Sequence, residues 1–272
     1  MSFFADKVVL VTGGASGIGR ALGAELGQRG ARVVFADLDA DGAESAARQC
    51  REQGADVGSI ALDVTDLEAF RKQVDELVQS HGRIDILFNN AGIGVTGEFR
   101  DLPSDAWSRV LEVNLKGVIH GIQAVYPHMI RQGHGHIANT ACVAGLVPLP
   151  MTSAYSASKH AVVGLSGSMR AEAAREGVRV SVICPGIVDT DMFDSIEYFG
   201  VDKQALISPV GGAMMTPEIC AKKILRGVEK NRAVILIGLH ARLMWWLYRL
   251  APRPFLRLVG LGFRLFRKQL QK

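Results

Sequence analysis

The chain has 272 residues, of which 48% are hydrophobic and 21% charged, enough for one large α/β domain with a full core and no second globular domain. Its net charge of +4 arises in the tail, because residues 231–272 hold nine Lys/Arg and no Asp or Glu. The remaining 22 basic and 27 acidic residues leave residues 1–230 at −5, which argues against a nucleic-acid partner.

The N-terminus and the cysteines predict the compartment. The first residues lack the apolar run of a secretion signal. Four scattered cysteines, Cys50, Cys142, Cys184 and Cys220, have no metal-ligand spacing. We therefore expect a cytoplasmic protein without a disulfide framework and without a metal site.

Residues 7–36 predict a strand, a glycine-rich turn, a helix and a second strand. Gly13, Gly17 and Gly19 allow the backbone to turn tightly, so a dinucleotide pyrophosphate can approach the N–H groups at the start of the helix. An ordinary strand-to-helix turn is the alternative. The strand before and the helix after the glycines favour the dinucleotide unit.

Asp37 ends the second predicted strand, 18 residues after Gly19. A carboxylate there can accept hydrogen bonds from the adenosine ribose hydroxyls, and it repels a 2′-phosphate. Since no Lys or Arg stands at or immediately after this position, we expect NAD rather than NADP. A helix N-cap is the alternative role for Asp37.

Strands and helices continue to alternate along the chain. Further strands are predicted at 58–62, 84–89, 135–141, 178–183 and 234–237, and helices at 66–80, 104–131 and 153–176. This alternation predicts an α/β fold with a parallel sheet and helices on both faces.

Tyr155 and Lys159 lie four residues apart in the helix predicted at 153–176, and therefore on one helix face. An ammonium beside a phenol favours the phenolate and lowers a pKa that is about 10 when unperturbed. A tyrosine of lowered pKa can transfer a proton near neutral pH, as carbonyl–alcohol interconversion requires. The spacing also occurs on solvated helices, so the upstream glycine turn is what favours this role.

Five motifs in order resemble the short-chain dehydrogenase/reductase family from about residue 5 to residue 240. They are the glycine turn, Asn89-Asn90-Ala91-Gly92, Asn114, the Tyr155/Lys159 pair and Pro185-Gly186. The resemblance implies one Rossmann-type doubly wound, seven-stranded parallel sheet in residues 1–240, in a homodimer or homotetramer. Residues 241–272 form a separate C-terminal extension.

The resemblance also implies a role for each motif residue. In the catalytic set, Tyr155 is the acid/base, Lys159 binds the nicotinamide ribose and lowers the tyrosine pKa, and Asn114 holds a water of a proton relay. The implied cofactor-binding set comprises Gly13, Ser16, Ile18 and Gly19 at the pyrophosphate, Asp37 at the ribose, Asp63 and Val64 at the adenine, Asn90 and Ala91 beside the cofactor, and Pro185, Val188 and Thr190 at the nicotinamide. The Tyr–Lys interval is shorter than in the enoyl reductases of the superfamily, which favours alcohol–carbonyl chemistry.

Cys142 departs from the family pattern, which has a serine 13 residues before the tyrosine to hydrogen-bond the substrate oxygen. A thiol is a weaker donor. Loss of such a donor costs about 2.7–4 kcal/mol in other enzymes. Three interpretations remain: a slow enzyme using Cys142 as a poorer donor, compensation by Ser153 or Thr140, or a protein that binds cofactor with little turnover.

Residues 190–217, here called the substrate segment, are rich in apolar residues, among them Met192, Phe193, Ile196, Leu206, Ile207 and Val210. In related enzymes this segment covers the substrate, so we expect a lipophilic substrate. A segment that only packs on the core is the alternative.

The tail from residue 241 combines Trp, Phe and Leu with six arginines at intervals of 7, 4, 4, 7 and 3: Arg242, Arg249, Arg253, Arg257, Arg264 and Arg267. Pro252 and Pro254 predict two amphipathic helices. An uncharged run of about 20 residues is missing, so the tail does not span a bilayer. A basic stripe beside apolar residues predicts a helix at the surface of an anionic membrane; burial against a partner subunit is the alternative.

We therefore expect an NAD-dependent oxidoreductase that interconverts a lipophilic secondary alcohol and its ketone at a membrane surface. The alternatives are a cofactor-binding regulatory or scaffold protein, favoured by Cys142, and a tetrameric carbonyl reductase whose tail joins subunits.

Overall fold

The structure, a computed structural model, describes residues 2–203 and 214–270. Its main sheet has seven strands that pair in parallel throughout, in the order β3-β2-β1-β4-β6-β7-β9. These strands are β1 (Val8–Thr12), β2 (Arg32–Asp37), β3 (Val57–Ala61), β4 (Ile86–Asn89), β6 (Gly135–Thr140), β7 (Val178–Pro185) and β9 (Val234–Ile237). The predicted Rossmann-type, doubly wound sheet is confirmed.

Helices cover both faces of the sheet. They are α1 (Gly17–Gln28), α2 (Ala40–Glu52), α3 (Leu67–His81), α4 (Ser104–Leu111), α5 (Gly117–Gln132), α6 (Ser153–Ala173), α7 (Met192–Ser195), α8 (Pro217–Glu229), α9 (Leu239–Leu250) and α10 (Pro252–Leu270). One apolar core joins α1, α2 and α8 to one face of the sheet, and a second joins α3, α5 and α6 to the other. Because both faces are covered, a central strand such as β1 is buried along its whole length.

The helix predicted at 104–131 is interrupted. The structure divides it into α4, a π-helical turn at Glu112–Lys116 and α5. Asn114 lies in this wide turn, is fully buried, and accepts a hydrogen bond from the Ile93 N–H at 2.8 Å. Such turns are frequent at functional sites, and here the turn carries a residue of the predicted catalytic set.

The substrate segment contains structure that the sequence analysis did not predict. After α7, the strand β8 (Glu197–Phe199) pairs in parallel with β5 (Val95–Gly97) in a separate two-stranded sheet. Its side chains pack closely, since Ile196 lies against Gly94 and Phe199 against Gly97. Leu206, Ile207 and Val210 of the predicted substrate segment, and residues 271–272 of the tail, lie outside the described residues.

The tail forms two helices, as the prolines predict. Its break is at Ala251, and Pro252 and Pro254 stand in the first turn of α10, where a missing N–H costs little. Within the described residues, no helix combines the length and the apolar character needed to cross a bilayer.

The contact between α1 and β2 provides a test of the core. A Cβ added at Gly23 of α1 would lie 1.9 Å from Cε1 of the buried Phe35. We expect Gly23→Ala to lower the free energy of unfolding by about 1–3 kcal/mol, because the ring has to move in a packed core. Urea denaturation measures this.

Gly164→Ala is the matched control, since Gly164 lies in α6 with open space around its added methyl. This change should stabilise the helix by ~0.5–1 kcal/mol. Equal effects of the two substitutions would contradict the packing described here.

Candidate functional site

The glycine turn joins β1 to α1 with two residues in the left-handed region, Gly13 at φ +68° and Gly17 at φ +50°. An added Cβ at Gly19 would lie 1.9 Å from the Gly13 carbonyl oxygen, so the turn requires glycine there. Ser16 is the N-cap of α1 and makes no side-chain capping bond, whereas Asp39 and Asp66 cap α2 and α3. The first N–H groups of α1 are therefore left available to an anionic group.

Ile18 follows in the first turn of α1, where it is half-buried and packs against the first core. Its contact with a pyrophosphate stays a prediction.

Asp37 ends β2 beside this turn. Its carboxylate accepts hydrogen bonds from the N–H of Ala15 at 2.9 Å and from that of Asp39 at 3.1 Å. The N-cap of α2 is Asp39, not Asp37, so the alternative capping role is wrong. Since a carboxylate has about four acceptor positions, Asp37 keeps acceptors for ribose hydroxyls.

The predicted adenine residues lie where the chain leaves β3. Asp63 is exposed and accepts hydrogen bonds from the N–H and hydroxyl of Thr65. Val64 is 9% exposed, and its side chain packs against Gly117 at the start of α5. Both stand near Asp37, because the Leu62 N–H donates to the Asp37 carbonyl at 2.8 Å.

Thr12, which the sequence analysis missed, fixes the Asn90–Ala91 loop. Its buried hydroxyl oxygen accepts hydrogen bonds from the N–H groups of Asn90 and Ala91, both at 3.0 Å. The Asn90 side chain donates to the Thr12 carbonyl at 3.2 Å and lies against Gly13. The end of β4 is thereby bound to the glycine turn; a hydroxyl residue directly before that turn was the available signal.

Asn114 is held by the backbone of Ile93. Its side-chain amide accepts from the Ile93 N–H and donates to the Ile93 carbonyl at 2.9 Å. The amide also approaches the Ser158 hydroxyl at 3.3 Å, and that hydroxyl donates to the Tyr155 carbonyl at 2.7 Å. Asn114 and the missed Ser158 thus position the helix that carries Tyr155. A relay water held by Asn114 stays a prediction.

Lys159 is 2% exposed, although it carries an amine. Its Nζ donates to the Thr140 carbonyl at 3.0 Å and lies 5.6 Å from the centroid of the Tyr155 ring. Burial lowers the pKa of Lys159 to about 8, and the nearby Cys142 and Cys184 oppose that shift. The amine can therefore gain or lose a proton close to neutral pH.

The pKa of Tyr155 is shifted in the direction opposite to the prediction. Burial, followed by the Cys142 thiol that hydrogen-bonds the phenol, raises the pKa of Tyr155 well above its ordinary value. The prediction of a lowered pKa is wrong for the structure as described. Lys159 lies at the face of the ring and bonds to Thr140, so its amine does not offset the loss of water around the hydroxyl.

Cys142 occupies the position from which the resemblance predicted contact with the reacting oxygen. Besides its contact with Tyr155, its Sγ donates to the Pro185 carbonyl at 3.6 Å. The two candidate compensating hydroxyls differ: Thr140 donates to the Asn90 side chain at 3.5 Å, whereas the buried Ser153 Oγ has no hydrogen-bond partner among the described residues. Of the two hydroxyls, only that of Ser153 is therefore without a hydrogen-bond partner among the described residues.

The chain that follows Pro185 closes the site. Val188 is buried and bridges to Met215, and the Thr190 methyl lies against Gly17 of the glycine turn. His240, missed in the sequence, accepts a hydrogen bond from the Ile187 N–H at 3.3 Å. The predicted catalytic and cofactor residues thus meet at the carboxyl-terminal edge of the sheet, beyond the ends of β1 and β4, the neighbouring strands at which the strand order reverses.

These residues fit a nicotinamide dinucleotide. The glycine turn has no room for a Cβ at Gly19. With glycine there, the turn provides space and N–H groups for a pyrophosphate. The Asp37 carboxylate lies at one end of this edge. The buried Lys159 amine lies at the other end, beside the Tyr155 phenol. No cluster of residues suited to a metal ion occurs in the described part of the chain.

Comparison with known proteins agrees with this architecture. The short-chain dehydrogenase family model matches residues 7–198. The SadH protein of Mycobacterium tuberculosis is 36% identical over 276 residues, covering 98% of each chain. The 3-oxoacyl-[acyl-carrier-protein] reductase FabG of Thermotoga maritima is 36% identical and covers 70% of this chain and 77% of its own.

A solved structure with the same fold is a short-chain dehydrogenase/reductase from Burkholderia phymatum in complex with NAD. It superposes with a TM-score of 0.80 at 30% identity and covers 87% of this chain and 90% of its own.

The Thr12 hydroxyl provides a test of the site. Thr12→Val leaves the N–H groups of Asn90 and Ala91 without their acceptor. We expect the free energy of unfolding to fall by about 1–3 kcal/mol and dinucleotide affinity to fall with it. Urea denaturation and titration with NAD measure the two effects.

Thr12→Ser keeps the hydroxyl and should retain most of the affinity. Equal NAD affinity in the valine and serine variants would contradict the role given to this hydroxyl.

Proposed function

The chain belongs to the short-chain dehydrogenase/reductase family of nicotinamide-dependent oxidoreductases, and from this premise we propose that it interconverts a lipophilic secondary alcohol and its ketone with NAD. The observation that carries the proposal is the buried Lys159 amine beside the Tyr155 ring, at the edge where the glycine turn and Asn90 meet. A lysine is rarely buried so completely without a charged partner, and such perturbed groups cluster at functional sites.

The chain's own residues handle the proton. A bound nicotinamide supplies the acceptor or donor of the hydride. Tyr155, with its raised pKa, holds its proton at neutral pH and can donate it to the oxygen of a ketone being reduced. In alcohol oxidation the same phenol must first lose its proton, and Lys159 is the neighbouring group that can receive one. Asn114 and Ser158 hold the helix in place.

Cys142 occupies the position of the family's serine, and Ser153 is the candidate hydroxyl that compensates for it. The thiol is a weak donor, so it polarises a carbonyl oxygen poorly, and the unpartnered Ser153 hydroxyl is the stronger donor close by in sequence. A second candidate function, a cofactor-binding regulatory or scaffold protein with little turnover, is favoured by Cys142 alone. The intact positions of Asn114, Tyr155 and Lys159 favour the enzyme.

The preference for NAD is supported by the end of β2. The Asp37 carboxylate is fixed by two N–H groups and is followed by Leu38, which is 76% exposed. A 2′-phosphate would meet the carboxylate's negative charge, with no basic residue in the next position to bind it.

A lipophilic substrate is supported by the apolar residues of the substrate segment and of the chain after Cys142. Met192, Phe193 and Ile196 are half-buried, and Val143 and Val147 belong to an apolar cluster that Cys142 borders. Mostly apolar walls with few polar groups are typical of sites for apolar ligands. The similar FabG is named for the reduction of 3-oxoacyl groups, whose reacting ketone lies on an acyl chain.

Membrane association is supported by the outer face of the two tail helices. In α9, the exposed apolar residues recur at helical spacing: Leu239, Leu243, Trp246, Leu247 and Leu250 are 50–83% exposed. In α10, Leu258, Leu261 and Leu265 are 56–69% exposed and form a second such row.

Basic residues flank these rows, and residues 231–272 contain no acid. A second copy of the same face would bring like charges together. An anionic lipid surface would neutralise them and cover the leucines. We therefore favour peripheral membrane association over a tail that joins subunits.

The catalytic assignment is tested with a panel of long-chain secondary alcohols and ketones. We expect Tyr155→Phe to reduce turnover by about 10²–10⁴-fold, because the proton donor is lost. Cys142→Ser should raise kcat by about ten- to a hundredfold, because an O–H replaces a weak S–H donor. Reactions with NAD should be faster than those with NADP.

NAD titration of each variant is the control for folding. Full turnover in Tyr155→Phe would refute the acid/base assignment. Tight NAD binding without turnover in both the wild type and Cys142→Ser would support the regulatory protein instead.

Membrane binding is tested by sedimentation with vesicles. We expect the protein to sediment with vesicles rich in phosphatidylglycerol, to do so less at high salt, and to stay in solution with phosphatidylcholine alone. Leu247→Asp should weaken this binding by about tenfold or more, because an exposed leucine that would enter the lipid is replaced by a carboxylate that anionic headgroups repel.

Ile219→Asp is the control, since Ile219 on α8 is similarly exposed, at 47%. Equal binding by both variants, or equal binding to both lipids, would contradict the membrane-facing assignment.

A further inference from the structure

The inner face of α9 packs against the chain that follows Cys142. Ala241 of α9 and Phe255 of α10 are buried in one apolar cluster with Val143 and Val147. Cys142 itself borders this cluster. The tail helices therefore contact the segment that carries a residue of the candidate active site.

The same inner face continues along both helices. Met244, Trp245 and Tyr248 of α9 lie against the cluster, and the Tyr248 ring contacts the Phe255 ring at a centroid distance of 5.3 Å. Val259 extends the packing by one turn of α10. Each tail helix thus has apolar residues that pack on the body of the protein and other apolar residues that are exposed.

The start of α9 contacts residues 185–190, which contain the residues predicted at the nicotinamide and are here called the nicotinamide segment. His240 Nε2 accepts a hydrogen bond from the Ile187 N–H, and its ring fills the space beside Gly186. A Cβ at Gly186 would lie 2.3 Å from that ring nitrogen. This contact fixes the first turn of the tail at the active-site edge.

The distal part of α10 reaches the opposite side of the site. Arg267 Nε lies 2.7 Å from the carboxylate of Glu98, directly after β5. Its N–H is not aligned for a hydrogen bond, so the contact is one of charge. Glu98 also pairs with Arg100 at 3.4 Å. The tail therefore extends from the nicotinamide segment, across the Cys142 side, to the β5–β8 sheet.

We propose that α9 and α10 form the outer wall of the substrate cleft, that the Arg267–Glu98 ion pair holds this wall closed, and that an anionic lipid surface opens it to substrates dissolved in the bilayer. This inference rests on the proposed function, which assigns the lipophilic substrate and the lipid-facing leucines. Lipid phosphates compete with Glu98 for Arg267, because both are anions that bind a guanidinium. The proximal end stays attached through His240 and the Phe255 cluster.

Cys142 is a native reporter of this opening. It is half-buried beside the tail cluster, whereas Cys50, Cys184 and Cys220 are 0–6% exposed. The rate of maleimide labelling at Cys142, located by peptide mass spectrometry, therefore measures access to the cleft. No substrate or turnover is needed, so the measurement is independent of the catalytic assignment.

Two variants break the ion pair in different ways. Arg267→Gln removes the tail partner, and Glu98→Gln removes the body partner while keeping every positive charge of the tail. Arg264→Gln is the matched control, because it removes the same charge from the same helix one turn away. Cys142→Ser confirms that the labelled thiol is the intended one.

We expect Arg267→Gln and Glu98→Gln to label about two- to fivefold faster than the wild type without vesicles, the range that an exposed ion pair supports. Arg264→Gln should label at the wild-type rate. Phosphatidylglycerol vesicles should accelerate wild-type labelling and add little in the two ion-pair variants.

The proposal is overturned if both ion-pair variants label like Arg264→Gln. It is also overturned if bound vesicles leave wild-type labelling unchanged or slow it. Absence of turnover with every alcohol and ketone would count against the proposed chemistry alone, since the labelling rates do not depend on it.

Discussion

A buried lysine amine joins the parts of this site. Lys159 donates to the carbonyl of Thr140, at the end of β6, and Thr140 in turn contacts Asn90. Asn90 is held by Thr12, directly before the glycine turn. The helix that carries Tyr155 is thus linked to the glycine turn through one set of hydrogen bonds.

Burial of this amine has an electrostatic cost that shows in its pKa of about 8. Removal from water disfavours the ammonium, as it disfavours the Tyr155 phenolate. Each group is therefore held in its neutral form more strongly than in water, and the Cys142 thiol influences both pKa values.

Much of the fold follows from the sequence pattern, because buried parallel strands are short apolar runs with few alternatives. This is the reason why the strands around Val8–Thr12 and Val234–Ile237 could be predicted. The helix with Tyr155 was predicted as well. The π turn at Asn114 could not be predicted, since it depends on a bond to the Ile93 backbone, 21 residues away. The pairing of β5 with β8 likewise depends on contacts between distant segments.

The sequence predicted which residues come together at the candidate site better than it predicted the pKa values of those residues. Spacing placed Tyr155 and Lys159 together, but the direction of the tyrosine pKa depends on burial and on the Cys142 thiol, which spacing does not report. Thr12, Ser158 and His240 act through hydrogen bonds to distant backbone, so their residue types alone gave little signal. The tail sequence predicted two helices, and only packing shows that each has apolar residues on the body of the protein as well as exposed ones.

The central proposal, that Lys159 receives the proton that Tyr155 loses, is tested most directly by the pH dependence of kcat/KM for alcohol oxidation in the wild type and in Lys159→Met. Raising the pH removes a proton from the pair and provides the base, so the wild-type rate should rise through a pH near 8, the pKa of Lys159. Without the amine, the phenol alone must ionise, and the rise should move above pH ~10. The same midpoint in both proteins would contradict the claim.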